Sequence, residues 1–318
     1  MYSILRNTFQ ELRASSYSSI QGVMTIDSGI EGPVLGLTIM THSNEPAGLM
    51  AARHIINKMK NGWTPLKGKV ILCINNLKGA EHFFSHDAWP DRNTAKRYLE
   101  FNMNRLPETS EALKGNKAYE TQRAYNLLPI WQEFTHALDF HSSKQDMATT
   151  LFTGHIPVKN SISRFLGVPR SIENITPIQT GVPAFIHYGK GSIDAFELEG
   201  GPHNNQEYLK SIPNYIDLLL ECLGIQEEAT PLPIKQEIDI YEVFGRVLFP
   251  NKSYRVAALF PSYDFVKKGT ILAKGDGDDL PMPEDGHILF APQHYNAVDI
   301  SEEVMFLTKP MKKYYAKS

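Results

Sequence analysis

Cysteine is scarce in this sequence. It occurs 2 times in 318 residues, at Cys73 within Val70-Ile71-Leu72-Cys73-Ile74 and at Cys222 within Leu218-Leu219-Leu220-Glu221-Cys222-Leu223. Both thiols read as small buried hydrophobes rather than disulfide partners, which fits a reducing compartment. An excess of one charge is also missing. Lysine plus arginine number 32 against 35 aspartate plus glutamate, a formal charge of −3 without long runs of one sign. That argues against an electrostatically driven nucleic-acid binder. No run of about 18 uncharged apolar residues occurs, which leaves no membrane span. Met1 to Ser16 carries Arg6, Glu11 and Arg13 and lacks the apolar core of a secretory signal. The cytoplasm is therefore the expected location. Internal repeats of about 20–50 residues and low-complexity tracts are absent as well.

The composition that remains, 42% hydrophobic and 21% charged, is that of a folded, soluble protein. Apolar runs of strand length lie at Ile20–Ile26, Val34–Met40 and Gly68–Asn75, and Glu45–Lys60 keeps helical spacing between the last two. Strand, helix, strand implies a parallel crossover. A longer helical pattern covers Asn116–Ala137, with Pro129 expected to kink it. Strand-like segments follow at Leu138–His141, Pro183–Tyr188 and Ile193–Glu199, and a helix from about Asn205 to Leu223 ends at Gly224. The expected fold is α/β, a doubly wound mixed sheet over residues 1–225, with a small all-β domain over residues 235–318 at the C-terminus. The polar, proline-punctuated stretch Glu227-Glu228-Ala229-Thr230-Pro231-Leu232-Pro233 reads as the linker. Short β-like segments beyond it, at Val243–Leu248, Tyr254–Leu259, Thr270–Ala273 and His287–Phe290, are separated by glycines and prolines.

Chemistry-bearing residues cluster at predicted strand ends, where open α/β sheets bind ligands. Thr41-His42-Ser43-Asn44-Glu45 ends the second strand, so His42 and Glu45 have the atoms and the placement to share a metal ion. Taken alone, the pair is equally a solvated helix N-terminus where Glu45 is favoured by the macrodipole. His141 in Asp139-Phe140-His141 offers a third ligand, with Asp139 on the same strand face as the carboxylate that fixes its tautomer. By itself that pair is also a buried, hydrogen-bonded histidine. Glu197 and Glu199 share one face of a core-like strand, and two such carboxylates repel unless something cationic faces them. A carboxylate over a metal-bound water is a general base; the alternative is an exposed edge strand. Arg97-Tyr98 and Asn102-Met103-Asn104-Arg105 supply two guanidinium forks suited to carboxylates and oxyanions, or merely to a solvated surface.

In chain order, His-x-x-Glu, Arg-Tyr with Asn-x-Asn-Arg, Asp-x-His and Glu-x-Gly-Pro resemble the succinylglutamate desuccinylase/aspartoacylase family, relatives of zinc carboxypeptidases. The likeness spans about residues 20–205. It implies that His42, Glu45 and His141 bind one Zn2+ and that Arg97 polarises the scissile carbonyl. Asn104 and Arg105 would hold the substrate carboxylate. Glu199, followed by Gly200-Gly201-Pro202, matches the catalytic glutamate, with Glu197 as the fallback. The implied activity is hydrolysis of the amide of a small N-acyl amino acid, and the implied C-terminal β domain narrows the active-site mouth. Asp264–Leu272 and Pro283–Leu289 resemble a lipoyl-like β module without a Met-Lys-Met hairpin, so its role is structural rather than that of a carrier.

Three departures bear on substrate. Asn102 stands where the family shows an aspartate, weakening whatever orientation that carboxylate gives to Arg97 or Arg105. His187 and Lys190 occupy a segment where aspartoacylases have an arginine. His-Ser-Asn-Glu replaces His-Gly-x-Glu without removing a ligand. A carboxypeptidase-like peptidase and a non-catalytic ligand-binding relative remain open on sequence, as does a homo-oligomer. His82, His86 and Asp87 read as a polar loop, and Gly275-Asp276-Gly277-Asp278-Asp279 as a turn rather than a calcium loop.

Overall fold

Strands apolar along their whole length need cover on both faces, which places them in the middle of a helix-flanked sheet. In Val34–Ile39 and Lys69–Ile74 every residue but the first is buried, and the two pair in parallel across the crossover helix Gly48–Lys60. The computed structural model describes residues 1–90, 95–154, 156–179, 181, 183–189, 193–227, 237–292, 303–311 and 314–315. On the far side of Val34–Ile39 lies His136–Ser143, also parallel, and beside it Asp194–Pro202, again parallel, with His141 opposite Glu199. Antiparallel strands complete the mixture: Val23–Asp27 on Lys69–Ile74, and Thr150–Thr153 on Asp194–Pro202. Arg170–Glu173 then runs parallel to Thr150–Thr153. The expected mixed α/β sheet is what the chain forms.

Helices cover both faces. Tyr2–Ala14, Gly48–Lys60 and Gln206–Cys222 bury Leu5, Phe9, Ile55, Ile56, Leu209 and Ile216 in one core, and Tyr119–Trp131 buries Leu127, Ile130 and Trp131 in another. The Asn205 side chain caps Gln206–Cys222 by accepting from Glu207 and Tyr208 N–H. Gly224, at φ 62°, leaves that helix in the left-handed conformation a C-cap requires. Asp217 ties it to Gly48–Lys60, lying 3.0 Å from His54 Nε2 and 2.8 Å from Lys58 Nζ. Burial opposes the Asp217 charge, but hydrogen bonds from His54 and Lys58 overcome it and hold the pKa at about 2, below the usual 3.8. A depressed carboxylate pKa contributes stability above the unfolded value and loses it as pH falls towards the folded one. Asp217→Asn is therefore expected to lower the melting temperature at pH 7, with the gap from wild type closing between pH 4 and pH 2 in thermal scans. A gap constant with pH would assign the effect to packing alone.

Some elements differ from expectation. Pro183–Tyr188, read as a strand, contains the short 3-10 helix Ala184–His187. An apolar run this short has no periodicity to separate a strand from a turn, and here the buried Tyr188 hydroxyl is anchored instead on Thr38 and Asp139. The long helical pattern is a helix only over Tyr119–Trp131, which ends two residues after Pro129. Tyr2–Ala14, Leu77–Phe84, Thr150–Thr153 and Arg170–Glu173 had no counterpart in the sequence reading.

The C-terminal region is made of strands, as expected, and they pair with one another in antiparallel fashion. Glu237–Val247 pairs with Met305–Pro310, which pairs with Gly286–Leu289, around Val247, Val266, Leu272, Ile288 and Leu307. The same long strand pairs in parallel with Arg170–Glu173, so these strands continue the main sheet. Residues 228–236, most of the expected linker, lie outside the described residues. No described helix is long and apolar enough to cross a membrane.

Candidate metal centre

The centre forms where three parallel strands end. Val34–Ile39 exits through Met40, whose φ of 56° turns the chain into Thr41–Glu45. A buried residue other than glycine in that conformation is strained, and the strain sits directly before two candidate ligands. His136–Ser143 contributes His141 and Asp139 on one face, and the neighbouring Asp194–Pro202 contributes Glu199 and Glu197 in register with them. Gly200 follows Glu199 because the ring of Tyr208 fills the space a Cβ would need, with ring atoms 2.0 Å from its position. Tyr208 OH then donates to the carbonyls of His141 and Leu198, at 3.1 and 2.9 Å, locking the two strand ends together.

His42, Glu45 and His141 are each at most 3% exposed, and one ligand atom from each lies within 4.8 Å of the others. His42 Nδ1 is 3.0 Å from Glu45 Oε1, His141 Nδ1 is 3.0 Å from Glu45 Oε2, and the two Nδ1 atoms are 3.2 Å apart. Two bonds of about 2.0–2.1 Å at a tetrahedral angle separate imidazole donors by roughly 3.3–3.4 Å, so this spacing fits one metal ion. The outer nitrogens are arranged for the same purpose. His42 Nε2 lies 3.0 Å from Asn102 Oδ1 and 3.0 Å from Arg97 Nη2; with Nε2 protonated and bonded to Asn102, the Nδ1 lone pair turns inward and Arg97 makes no hydrogen bond to that nitrogen. Asn102 thus faces His42, and its Oδ1 also accepts from Asn104 N–H. His141 Nε2 points at Asp139 Oδ2 (3.4 Å) and Glu197 Oε1 (3.6 Å), and no hydrogen bond satisfies it. Asp139 is held in turn by Thr41 Oγ1 at 2.8 Å and Tyr188 OH at 3.1 Å.

Burial lowers the His42 pKa to about 4, with Arg97 adding to the effect. Burial also opposes a charge on His141, yet Glu197 and Asp139 outweigh it and raise that pKa well above the usual value. Glu199 is buried, its Oε1 has no partner, and desolvation together with the Glu45 charge pushes its pKa well up. Glu197 is raised to about 7, chiefly by burial, but its Oε1 already accepts from Asn104 Nδ2 at 3.0 Å. Arg97 caps the centre with a side chain 47% exposed, Nη2 being 3.0 Å from His42 Nε2 and Nη1 3.7 Å from Glu45 Oε1. Asn104 and Arg105 stand next to Glu197, and Arg105 is engaged by Glu303 and Gln179.

Two supporting residues escaped the sequence reading. His203 Nδ1 lies 2.8 Å from Ser142 Oγ and its Nε2 3.3 Å from Asn44 Nδ2, bridging the neighbours of His141 and Glu45. Glu120, fully buried, accepts from the N–H groups of Leu99, Glu100 and Phe101 and from Asn76 Nδ2. Nothing in its spacing marks it, since it reads as an ordinary acid in a first helical turn. It holds the loop that carries Arg97. Glu120→Ala leaves three part-buried N–H donors and the buried Asn76 amide without their acceptor, and since a buried unsatisfied donor costs about 1–3 kcal/mol, urea unfolding should show a loss of at least ~2 kcal/mol. A loss below ~0.5 kcal/mol would mean that the loop is held elsewhere.

The model of the succinylglutamate desuccinylase/aspartoacylase catalytic domain matches residues 31–172. Solved structures of succinylglutamate desuccinylases share the fold. That of Vibrio parahaemolyticus aligns with TM-score 0.69 and 15% identity over 98% of both chains. That of Chromobacterium violaceum aligns with TM-score 0.66 and 14% identity over 98% of this chain and 99% of its own. Murine aminoacylase 3 aligns with TM-score 0.62 and 18% identity over 91% of this chain and 98% of its own. No curated protein matches.

Proposed function

We propose that this chain, whose residues 31–172 match the succinylglutamate desuccinylase/aspartoacylase catalytic domain, is a zinc-dependent hydrolase of the amide bond in small N-acyl amino acids. The observation that carries the reading is the convergence of His42 Nδ1, His141 Nδ1 and the Glu45 carboxylate, two imidazole nitrogens 3.2 Å apart with their outer nitrogens facing acceptors. Two nitrogens and one carboxylate are a donor set zinc takes in catalytic sites. Zinc held there supplies Lewis acidity, which brings the pKa of a water towards ~7 and polarises a carbonyl.

Glu199 takes the proton of the attacking water and delivers it to the departing nitrogen. Its burial favours the protonated form, which strengthens it as the base that takes the water proton and keeps that proton on the carboxyl until the more basic leaving nitrogen accepts it. The exposed guanidinium of Arg97 lies beside His42 and Glu45, where negative charge develops on the carbonyl oxygen, and stabilises it. Asn102 and Asp139 orient the two imidazoles. The resemblance puts the substrate carboxylate at Asn104 and Arg105, where Arg105 is already paired with Glu303. The side chains come from separate strand ends tied together by hydrogen bonds, so the site is preorganised.

Elemental analysis of the purified protein together with a panel of N-acyl amino acids and peptides tests the reading. About one zinc per chain and turnover of an acyl amino acid over peptides is expected. Stoichiometric zinc without hydrolysis across the panel would make the chain a ligand-binding relative.

A further inference from the structure

Arg105 is the residue whose fork would receive a substrate carboxylate, yet the fork is already full. Its Nε donates to Glu303 Oε2 at 2.9 Å, and Nη2 lies 2.6 Å from the same oxygen. Nη1 donates to Asn104 O at 2.7 Å and to Gln179 Oε1 at 3.3 Å. A guanidinium has five N–H donors and captures a carboxylate through one of two edges. The Nε/Nη2 edge is spent on Glu303. The Nη1/Nη2 edge retains only what Nη2 has left. No second carboxylate can bind Arg105 bidentately while Glu303 stays.

Glu303 does not belong to the catalytic strands. It precedes Met305–Pro310, and its Oε1 accepts from Arg246 Nη1 at 3.1 Å on the paired strand Glu237–Val247. Its carboxylate is fully buried, whereas the Arg105 and Arg246 side chains are 15% and 33% exposed. The C-terminal strands thus place a carboxylate of their own on Arg105, the residue after Asn104, whose amide donates to Glu197.

We infer that Glu303 is a specificity-determining residue that occupies the Arg105 fork in place of a substrate carboxylate and turns the enzyme's preference towards acyl compounds lacking a carboxylate beside the scissile amide. This rests on the hydrolase reading above and refines its substrate class. A free acid must displace a buried ion pair to reach Arg105. The corresponding carboxamide has no need of Arg105 and binds without disturbing Glu303.

The test measures binding by calorimetry to zinc-loaded protein on a Glu199→Gln background, which preserves the ligand. The probes are the N-acyl amino acid turned over fastest in the panel, or N-acetyl-L-glutamate if none is, and its α-carboxamide. Glu303→Gln keeps the shape and frees the fork, and the half-exposed Arg246 hydrates. The acid is expected to bind at least tenfold tighter to Glu303→Gln, with the carboxamide changed less than twofold. Arg246→Ala, which loosens the same strands but leaves Glu303 on Arg105, should leave both probes within twofold. No gain for the acid, including no binding at all, overturns the inference. So does an equal shift of both probes, or a gain for the acid with Arg246→Ala. Failure of the hydrolase reading shows separately, as absence of turnover by the wild-type enzyme with zinc bound.

Discussion

Glu199→Gln is expected to lower turnover by about 10²–10⁴-fold, the range a positioned general acid–base contributes, with zinc content unchanged. Glutamine keeps the volume and one carbonyl oxygen, so the packing around Gly200 and Tyr208 survives, but it cannot accept a proton. Glu199 is not among the three clustered donors, hence the separation of metal content from turnover. Its unpartnered buried Oε1 is the group a water would satisfy. At Glu197 the same change should cost about tenfold or less, because Oε1 there already accepts from Asn104 and acts through orientation. Steady-state kinetics and metal analysis on the two variants decide the assignment. Full turnover by Glu199→Gln alongside an inactive Glu197→Gln would transfer the role to Glu197.

The candidate site residues were legible because they sit at fixed offsets beside strand ends. His42 and Glu45 lie three apart across a strand-to-helix turn, and Asp139 and His141 two apart on one strand face. Glu197 and Glu199 follow the same alternation on the adjacent strand. Alternation and crossover topology are local, so a linear reading recovers them. What it could not recover depends on pairs far apart in the chain. Asn102 meets His42 across a loop folded back by Glu120, whose three backbone acceptances leave no trace in spacing. His203 stood in view after Gly200-Gly201-Pro202, but its bridge from Ser142 to Asn44 exists only once two strand ends meet. Glu303 lies 198 residues beyond Arg105. The strands Thr150–Thr153 and Arg170–Glu173 escaped for a different reason: at four residues each, with Thr150 and Ser171 buried among apolar neighbours, they show no clean period.

Removing one candidate ligand gives the second large effect. His141→Ala is expected to drop zinc from about one per chain to below ~0.1 after dialysis against metal-free buffer, and to abolish turnover in proportion. Losing an outer-shell partner typically costs about 10–100-fold in metal affinity, and losing a direct donor costs more. Alanine also vacates the space between Glu45 Oε2 on one side and Asp139 and Glu197 on the other. The three carboxylates then face one another in a buried site without the imidazole that separated them, so the fold should weaken together with the metal site. Asn102→Ala serves as the graded comparison. It removes the acceptor on His42 Nε2 together with the cap on Asn104 N–H but leaves all three donors in place, so zinc should be retained at stoichiometric loading but lost about 10–100-fold more readily to a competing chelator. The ordering, with His141→Ala far more damaging than Asn102→Ala and both acting on metal before substrate affinity, follows only if the imidazoles are ligands. Stoichiometric zinc in His141→Ala would place the ion elsewhere and return the pair to an ordinary buried hydrogen-bond network.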